Sequence, residues 1–110
     1  MKILILDDQE TRHVYFKEAF KSHTLSHVYT SNECIDKLSE EEFDCVTLDH
    51  DLGRLEMVES GENTGYAVAK WLYENPDKQP NIIRLHSLNP VGRKNMKFLL
   101  PNAIEQPCYY

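Results

Sequence analysis

A chain of 110 residues suits one compact domain and excludes two. Its 18 acidic residues against 12 basic ones give a net charge of −6, with no Lys/Arg-rich block. That excludes a general nucleic-acid backbone binder, which needs a basic face, but not a small anionic substrate held by a helix N-terminus and one or two arginines.

Lys2 to Leu6 is uniformly apolar after its lysine, as in a parallel strand covered on both faces, and ends in Asp7-Asp8. Gln9 to Phe20 reads as a helix that Asp8 can cap, with His13, Phe16 and Phe20 on one face. A weaker strand covers about His27 to Thr30. Ser31 or Asn32 then caps a helix from Glu33 to Glu41 that buries Ile35 and Leu38. Cys45 to Leu48 is a short apolar run that stops at Asp49-His50-Asp51. Such a run reads as a buried strand. Residues 53–64 form a polar connection longer than the usual strand-to-helix loop, which suggests a lid or a binding loop. It carries Glu56, Glu59 and Glu62 against Arg54, and Leu55 and Met57 could close over a base or sugar; a solvated loop is the plainer reading.

Thr64 caps a third helix, Gly65 to Glu74, with Tyr66, Ala69, Trp71, Leu72 and Tyr73 as its apolar surface; Asn75-Pro76 stops it. Asn81 to Leu85 is a fourth strand ending in His86-Ser87. Asn89 caps and Pro90 opens a helix to about Leu100, with Val91, Met96, Phe98, Leu99 and Leu100 apolar. Ala103 to Glu105 is a short fifth strand. Cys34, Cys45 and Cys108 show no paired spacing, and Met1 to Leu6 is too short for a signal peptide, so reduced thiols and a cytoplasmic location are expected. No run is long enough to span a membrane.

Strands alternating with helices imply a parallel sheet with right-handed crossovers. The order 2-1-3-4-5 places a switch point between strands 1 and 3, where open α/β sheets bind ligands. That crevice gathers Asp7, Asp8, Asp49, His50, Asp51, His86 and Ser87.

Lys-Ile-Leu-Ile-Leu-Asp-Asp at the N-terminus and Phe-Asp-Cys-Val-Thr-Leu-Asp in the third strand resemble a response-regulator receiver domain. The resemblance matches Asp7 and Asp8 to the acidic metal-binding pair and Asp49 to the phosphoacceptor. It breaks at His86, where receivers carry Ser or Thr, at Gln106, where they carry Lys before Pro, and at the fifth helix. Leu-Asp-His-Asp-Leu-Gly, Thr64-Gly65 and His-Ser-Leu-Asn-Pro-Val-Gly-Arg-Lys-Asn-Met instead resemble the cyclic-phosphate-processing receiver family. That implies a receiver or flavodoxin-like α/β three-layer sandwich lacking the last helix. It also implies activity on a cyclic phosphate of a nucleotide or ADP-ribose type.

The residues suit that chemistry. Clustered carboxylates repel and need a cation or a shared proton, so Asp7, Asp8, Asp49 and Asp51 are candidate ligands for Mg²⁺ or another divalent ion. Asp8 and Asp51 read equally as helix and turn caps. Opening a cyclic phosphodiester takes a base for water and an acid for the leaving oxygen, roles that suit His50 and His86 with Asp49 beside them. Successive strand residues face opposite ways, so His50 and Asp49 diverge unless the strand has already ended. Ser87, Asn89, Gly92, Arg93 and Asn95 at the fourth helix, with Thr64 and Arg12, are candidates for the phosphate and substrate. Asn89 also reads as a plain cap, and Arg12 as a partner of Asp8.

The expected function is a phosphoesterase acting on a nucleotide-like cyclic phosphate. A non-catalytic cyclic-nucleotide or protein binder and a degenerate phospho-receiver are the alternatives. With helix 1 alone on one sheet face, the uncovered apolar surface would favour a homodimer.

Overall fold

Parallel strands need crossover connections, and the sequence supplies a helix for each of the four. The computed structural model describes residues 1–53 and 57–107. Its order is β1 (Lys2–Leu6), α1 (Glu10–Ala19), β2 (Thr24–Val28), α2 (Ser31–Glu40), β3 (Cys45–Leu48), α3 (Gly65–Glu74), β4 (Ile82–Leu85), α4 (Pro90–Leu99) and β5 (Ile104–Glu105). A 3₁₀ turn at Pro76–Lys78 follows α3. All pairings are parallel in the order β2-β1-β3-β4-β5, the order expected.

Alternation along the strands divides the core in two. Leu4, Leu6, Val46, Leu48, Ile83 and Leu85 face α2, α3 and α4, which bury Cys34, Leu38, Val68, Ala69, Leu72 and Met96 against them. Ile3, Ile5 and Cys45 face the other way, against Phe16 of α1. Among the described residues, α1 is the one helix packed on that side. No described helix is long and apolar enough to cross a membrane.

Several boundaries and burials differ from expectation. β2 begins at Thr24 because it pairs with β1 from Lys2↔Thr24 to Leu6↔Val28, and Tyr29 and Thr30 lie beyond that ladder. Thr30, not Ser31 or Asn32, caps α2: its hydroxyl accepts from Glu33 N–H while Glu33 accepts from Tyr29 N–H. The two bonds resemble a capping box, with the Glu33 carboxylate reaching one residue beyond the cap. Gln9, not Asp8, occupies the N-cap of α1, and Asp7 Oδ1 accepts the Gln9 N–H at 2.9 Å. Among the apolar residues of α3 and α4, Val91, Phe98 and Tyr73 are exposed, at 67, 86 and 59%. Arg54, Leu55, Glu56 and Cys108 lie outside the described residues; Cys34 and Cys45 are buried free thiols.

Candidate functional site

The parallel register sets Leu6, Leu48 and Leu85 level, so the next residues, Asp7, Asp49 and His86, emerge side by side. The Asp49 and His86 amides continue the ladder to Leu6 and Leu48 carbonyls. Alternation turns all three side chains to the α1 side. They are fully buried there. His86 Nε2 lies 2.9 Å from Asp7 Oδ2 and its Nδ1 2.7 Å from Thr47 Oγ1, with the Phe16 ring edge-on at 5.0 Å. Burial holds the His86 pKa below its usual value despite Asp7. The neutral ring therefore donates from Nε2 to Asp7 and accepts the Thr47 hydroxyl at Nδ1.

Arg12 reaches over from the first turn of α1, and its guanidinium bridges Asp7 Oδ2 at 3.3 Å and Asp49 Oδ2 at 3.2 Å. The two carboxyls then separate. Burial acts to raise Asp7, but the His86 and Gln9 hydrogen bonds and the nearby positive charge outweigh it and hold Asp7 below the usual range. Burial and the charge of Asp7 push Asp49 up to about 8, against Arg12. Asp49 therefore keeps its proton at neutral pH.

Ligand atoms of Asp7, Asp49 and His86 lie within 4.8 Å of one another, the one such group among the described residues. Asp8 and Asp51 stand outside it, so the expected four-carboxylate set does not assemble. The donors as placed do not fit magnesium. A hard ion takes oxygens in an octahedron, and here one donor is an imidazole nitrogen. The oxygens facing the cluster already receive N–H groups of Arg12 and His86. The guanidinium supplies the positive charge that the carboxylates require.

His50 turns the other way, under α4. Its Nδ1 lies 2.9 Å from Asp51 Oδ1 and its Nε2 2.8 Å from Ser60 Oγ. Gly92 makes room for the ring: a Cβ there would come within 2.4 Å of His50 Cγ. Asn89 Nδ2 donates to Asp51 Oδ1 at 3.0 Å, and Met57 N–H to Oδ2 at 2.7 Å. Burial acts to raise the Asp51 pKa, but these bonds and that from His50 hold it lowered. His50 and His86 therefore do not flank one phosphorus as expected. They lie on opposite sides of the sheet, share no partner among the described residues, and are 0 and 1% exposed.

What opens at the strand ends is a crevice of about 150 Å³ lined by Gln9, Arg12, Asp49, Asp51, Met57, Ser87 and Leu88. Of the residues expected to hold phosphate, Arg12 and Ser87 line it. The others are engaged in structure. Asn89 caps α4 through Gly92 N–H, and Thr64 caps α3 through Tyr66 N–H. Arg93 donates to Ser87 O and faces Glu105, while Asn95 donates to Ser60 Oγ. Thr47 and Ser60 join these networks without any mark in the sequence. One lies inside an apolar strand and the other in a polar loop, and neither position carries a local signal of its partner.

The geometry can be set beside known proteins. The family described as cyclic-phosphate processing receiver domain matches residues 2–102. No curated protein matches the chain. Several solved structures share its fold. The response regulator TrrA of Thermotoga maritima, in complex with Mg²⁺ and BeF, is 19% identical, with a TM-score of 0.72 over 99% of this chain and 86% of its own. The non-phosphorylated HemR receiver domain of Leptospira biflexa is 18% identical, with a TM-score of 0.75 over 99 and 82%. A CheY-like receiver domain of Methanospirillum hungatei is 19% identical, with a TM-score of 0.68 over 98 and 82%. At such identities these structures speak for the fold alone. The family match runs over nearly the whole chain, and the protein belongs to the cyclic-phosphate processing receiver domain family.

Proposed function

We propose that this domain hydrolyses a cyclic phosphate of a nucleotide or ADP-ribose type, with the phosphate in the crevice between the ends of β1, β3 and β4. One observation carries the reading: two carboxyls lining one crevice are pushed in opposite directions, Asp49 up and Asp51 down. Pairs separated in this way supply an acid and a base at one pH. Arg12 and the Ser87 hydroxyl hold the phosphoryl oxygens. Asp51 accepts a proton from the attacking water as its oxygen bonds to phosphorus. The ring P–O bond breaks, and Asp49 gives its proton to the leaving oxygen. A cavity of about 150 Å³ admits the phosphoryl group and leaves the rest of the substrate outside. His86 acts by holding Asp7, which keeps Asp49 protonated. Magnesium takes no part in this scheme.

The test is a panel of cyclic mononucleotides and an ADP-ribose cyclic phosphate, followed by phosphorus NMR with and without chelator. Ring-opened monoester is expected in both conditions. Arg12→Ala should lower turnover by roughly 10- to 100-fold, the loss of a charge-assisted hydrogen-bonding group. Ligand recovered intact after binding would support a non-catalytic module instead. A stable acyl phosphate on Asp49 after treatment with acetyl phosphate would support a phospho-receiver.

A further inference from the structure

Asp51, the base of the crevice, also begins a line of hydrogen bonds that runs through His50 to Ser60, and the crevice chemistry uses neither His50 nor Ser60. Asp51 is an acceptor, so His50 Nδ1 carries the proton between them at 2.9 Å. With that proton on Nδ1, the ring nitrogen that can accept is Nε2, 2.8 Å from Ser60 Oγ. Asn95 Nδ2 donates to the same oxygen at 2.9 Å. An amide N–H cannot accept, so the Ser60 hydroxyl proton points at Nε2. This is the order of contacts that activates a serine: an orienting carboxylate, a base and a nucleophile.

The surroundings fix the base and free the nucleophile. His50 is fully buried, and Gly92 lets α4 lie on its ring. Ser60 is partly exposed and lines a separate pocket of about 310 Å³ with Tyr66, Asn95 and Phe98. Phe98 is 86% exposed, so packing does not account for it. Two aromatic side chains beside a hydroxyl suit a planar ring, which stacks on such faces.

We infer that Ser60 is a nucleophile activated by His50 and Asp51, and that it attacks the phosphorus of a phosphodiester carrying a planar ring. The substrate class rests on the reading above; the reactive centre does not. In the step, the Ser60 Oγ–P bond forms and Nε2 takes the hydroxyl proton. The P–O bond to the leaving alcohol breaks, and Nε2 returns the proton to that oxygen. Water then attacks the Ser60 phosphoester, Nε2 takes its proton, and Ser60 leaves with it.

A fluorophosphonate bearing an aryl tag tests this without a known substrate: Oγ displaces fluoride and the adduct is permanent. Peptide mapping by mass spectrometry should place the label on Ser60, and Ser60→Ala should abolish it. Asp51→Asn should slow labelling at least tenfold, and His50→Gln more. Because His50 is buried, circular dichroism checks that variant, and Asn95→Ala provides an exposed second probe expected to slow labelling several-fold with an unchanged melting curve. An unlabelled Ser60, a label elsewhere, or Asp51→Asn reacting at the wild-type rate would overturn the inference and leave Ser60 as a tie between its loop and α4. Labelling of Ser60 without turnover of cyclic phosphates would defeat the crevice reading alone.

Discussion

Nε2 of His86 sits 2.9 Å from Oδ2 of Asp7, joining the ends of β4 and β1 across 79 residues of chain. Both groups are buried, so neither can turn to water if the other is removed. His86→Leu leaves the Asp7 carboxylate short of a donor and the Thr47 hydroxyl short of an acceptor. The expected loss is about 2–3 kcal/mol, read from urea unfolding. His86→Gln, whose amide can donate to Asp7, should recover part of it. A folded His86→Gln domain with turnover reduced 100-fold would give His86 a direct role in the chemistry instead.

Arg12 is the cation of the acidic pair. Arg12→Met should expose Asp7 and Asp49 to each other and raise Asp49 further, since Arg12 now acts to lower it. With Arg12 gone only the proton on Asp49 separates the two charges, so the variant should go on losing stability above about pH 8, where wild type levels off, read from urea midpoints. Parallel curves for the two proteins would show that the guanidinium does not act on Asp49.

Asp49 makes stability depend on pH with a defined sign. Its folded pKa is raised to about 8, above the unfolded value. Its contribution is complete below about pH 4 and is lost as pH rises through about 8. Asp49→Asn removes that slope. The variant should be more stable than wild type by about 1–2 kcal/mol at about pH 9, with the difference shrinking towards pH 5. The acid limb belongs to His27, which burial and then the charge of His13 hold low, and to buried His86. Depressed histidines contribute above about pH 6.5 and lose that contribution as pH falls through their folded values. Urea midpoints across pH should show both limbs, and a wild-type curve flat from pH 5 to 9 would contradict them.

Two glycines hold backbone and ring where the site needs them. A Cβ on Gly65 would lie 1.7 Å from the Asp49 carbonyl oxygen, an immovable neighbour in the ladder. Gly65→Ala should cost about 3 kcal/mol or more. Gly92→Ala meets the His50 ring at 2.4 Å and should cost about 2 kcal/mol while slowing labelling of Ser60. Gly61→Ala, with open space around it, should change stability by less than about 0.5 kcal/mol. Thermal melts of the three variants rank these effects, and equal costs would break the correspondence.

The sheet was legible because its strands are apolar runs that end abruptly in charge. Lys2–Leu6, Cys45–Leu48 and Ile82–Leu85 each stop where Asp7, Asp49 and His86 begin. Parallel register then had to set those ends level. β2 lies three residues earlier than its sequence suggests, because it is an edge strand of polar and half-buried residues with little pattern of its own. Phe98 and Val91 are apolar yet exposed, which was not legible, because periodicity counts apolar residues without knowing which side of α4 meets the sheet.

By itself the sequence determined the family, the parallel order and the edge of the sheet where charge collects. These follow from local patterns: run length, alternation and caps. Only the tertiary structure decided which charged groups meet. Alternation sent Asp49 towards α1 and His50 towards α4, so two imidazoles expected as one pair became members of two networks. The partners that complete those networks, Arg12 with Asp49 and Ser60 with His50, come from a helix face and a loop. Their positions depend on how the helices pack over the sheet, and no spacing along the chain encodes that distance.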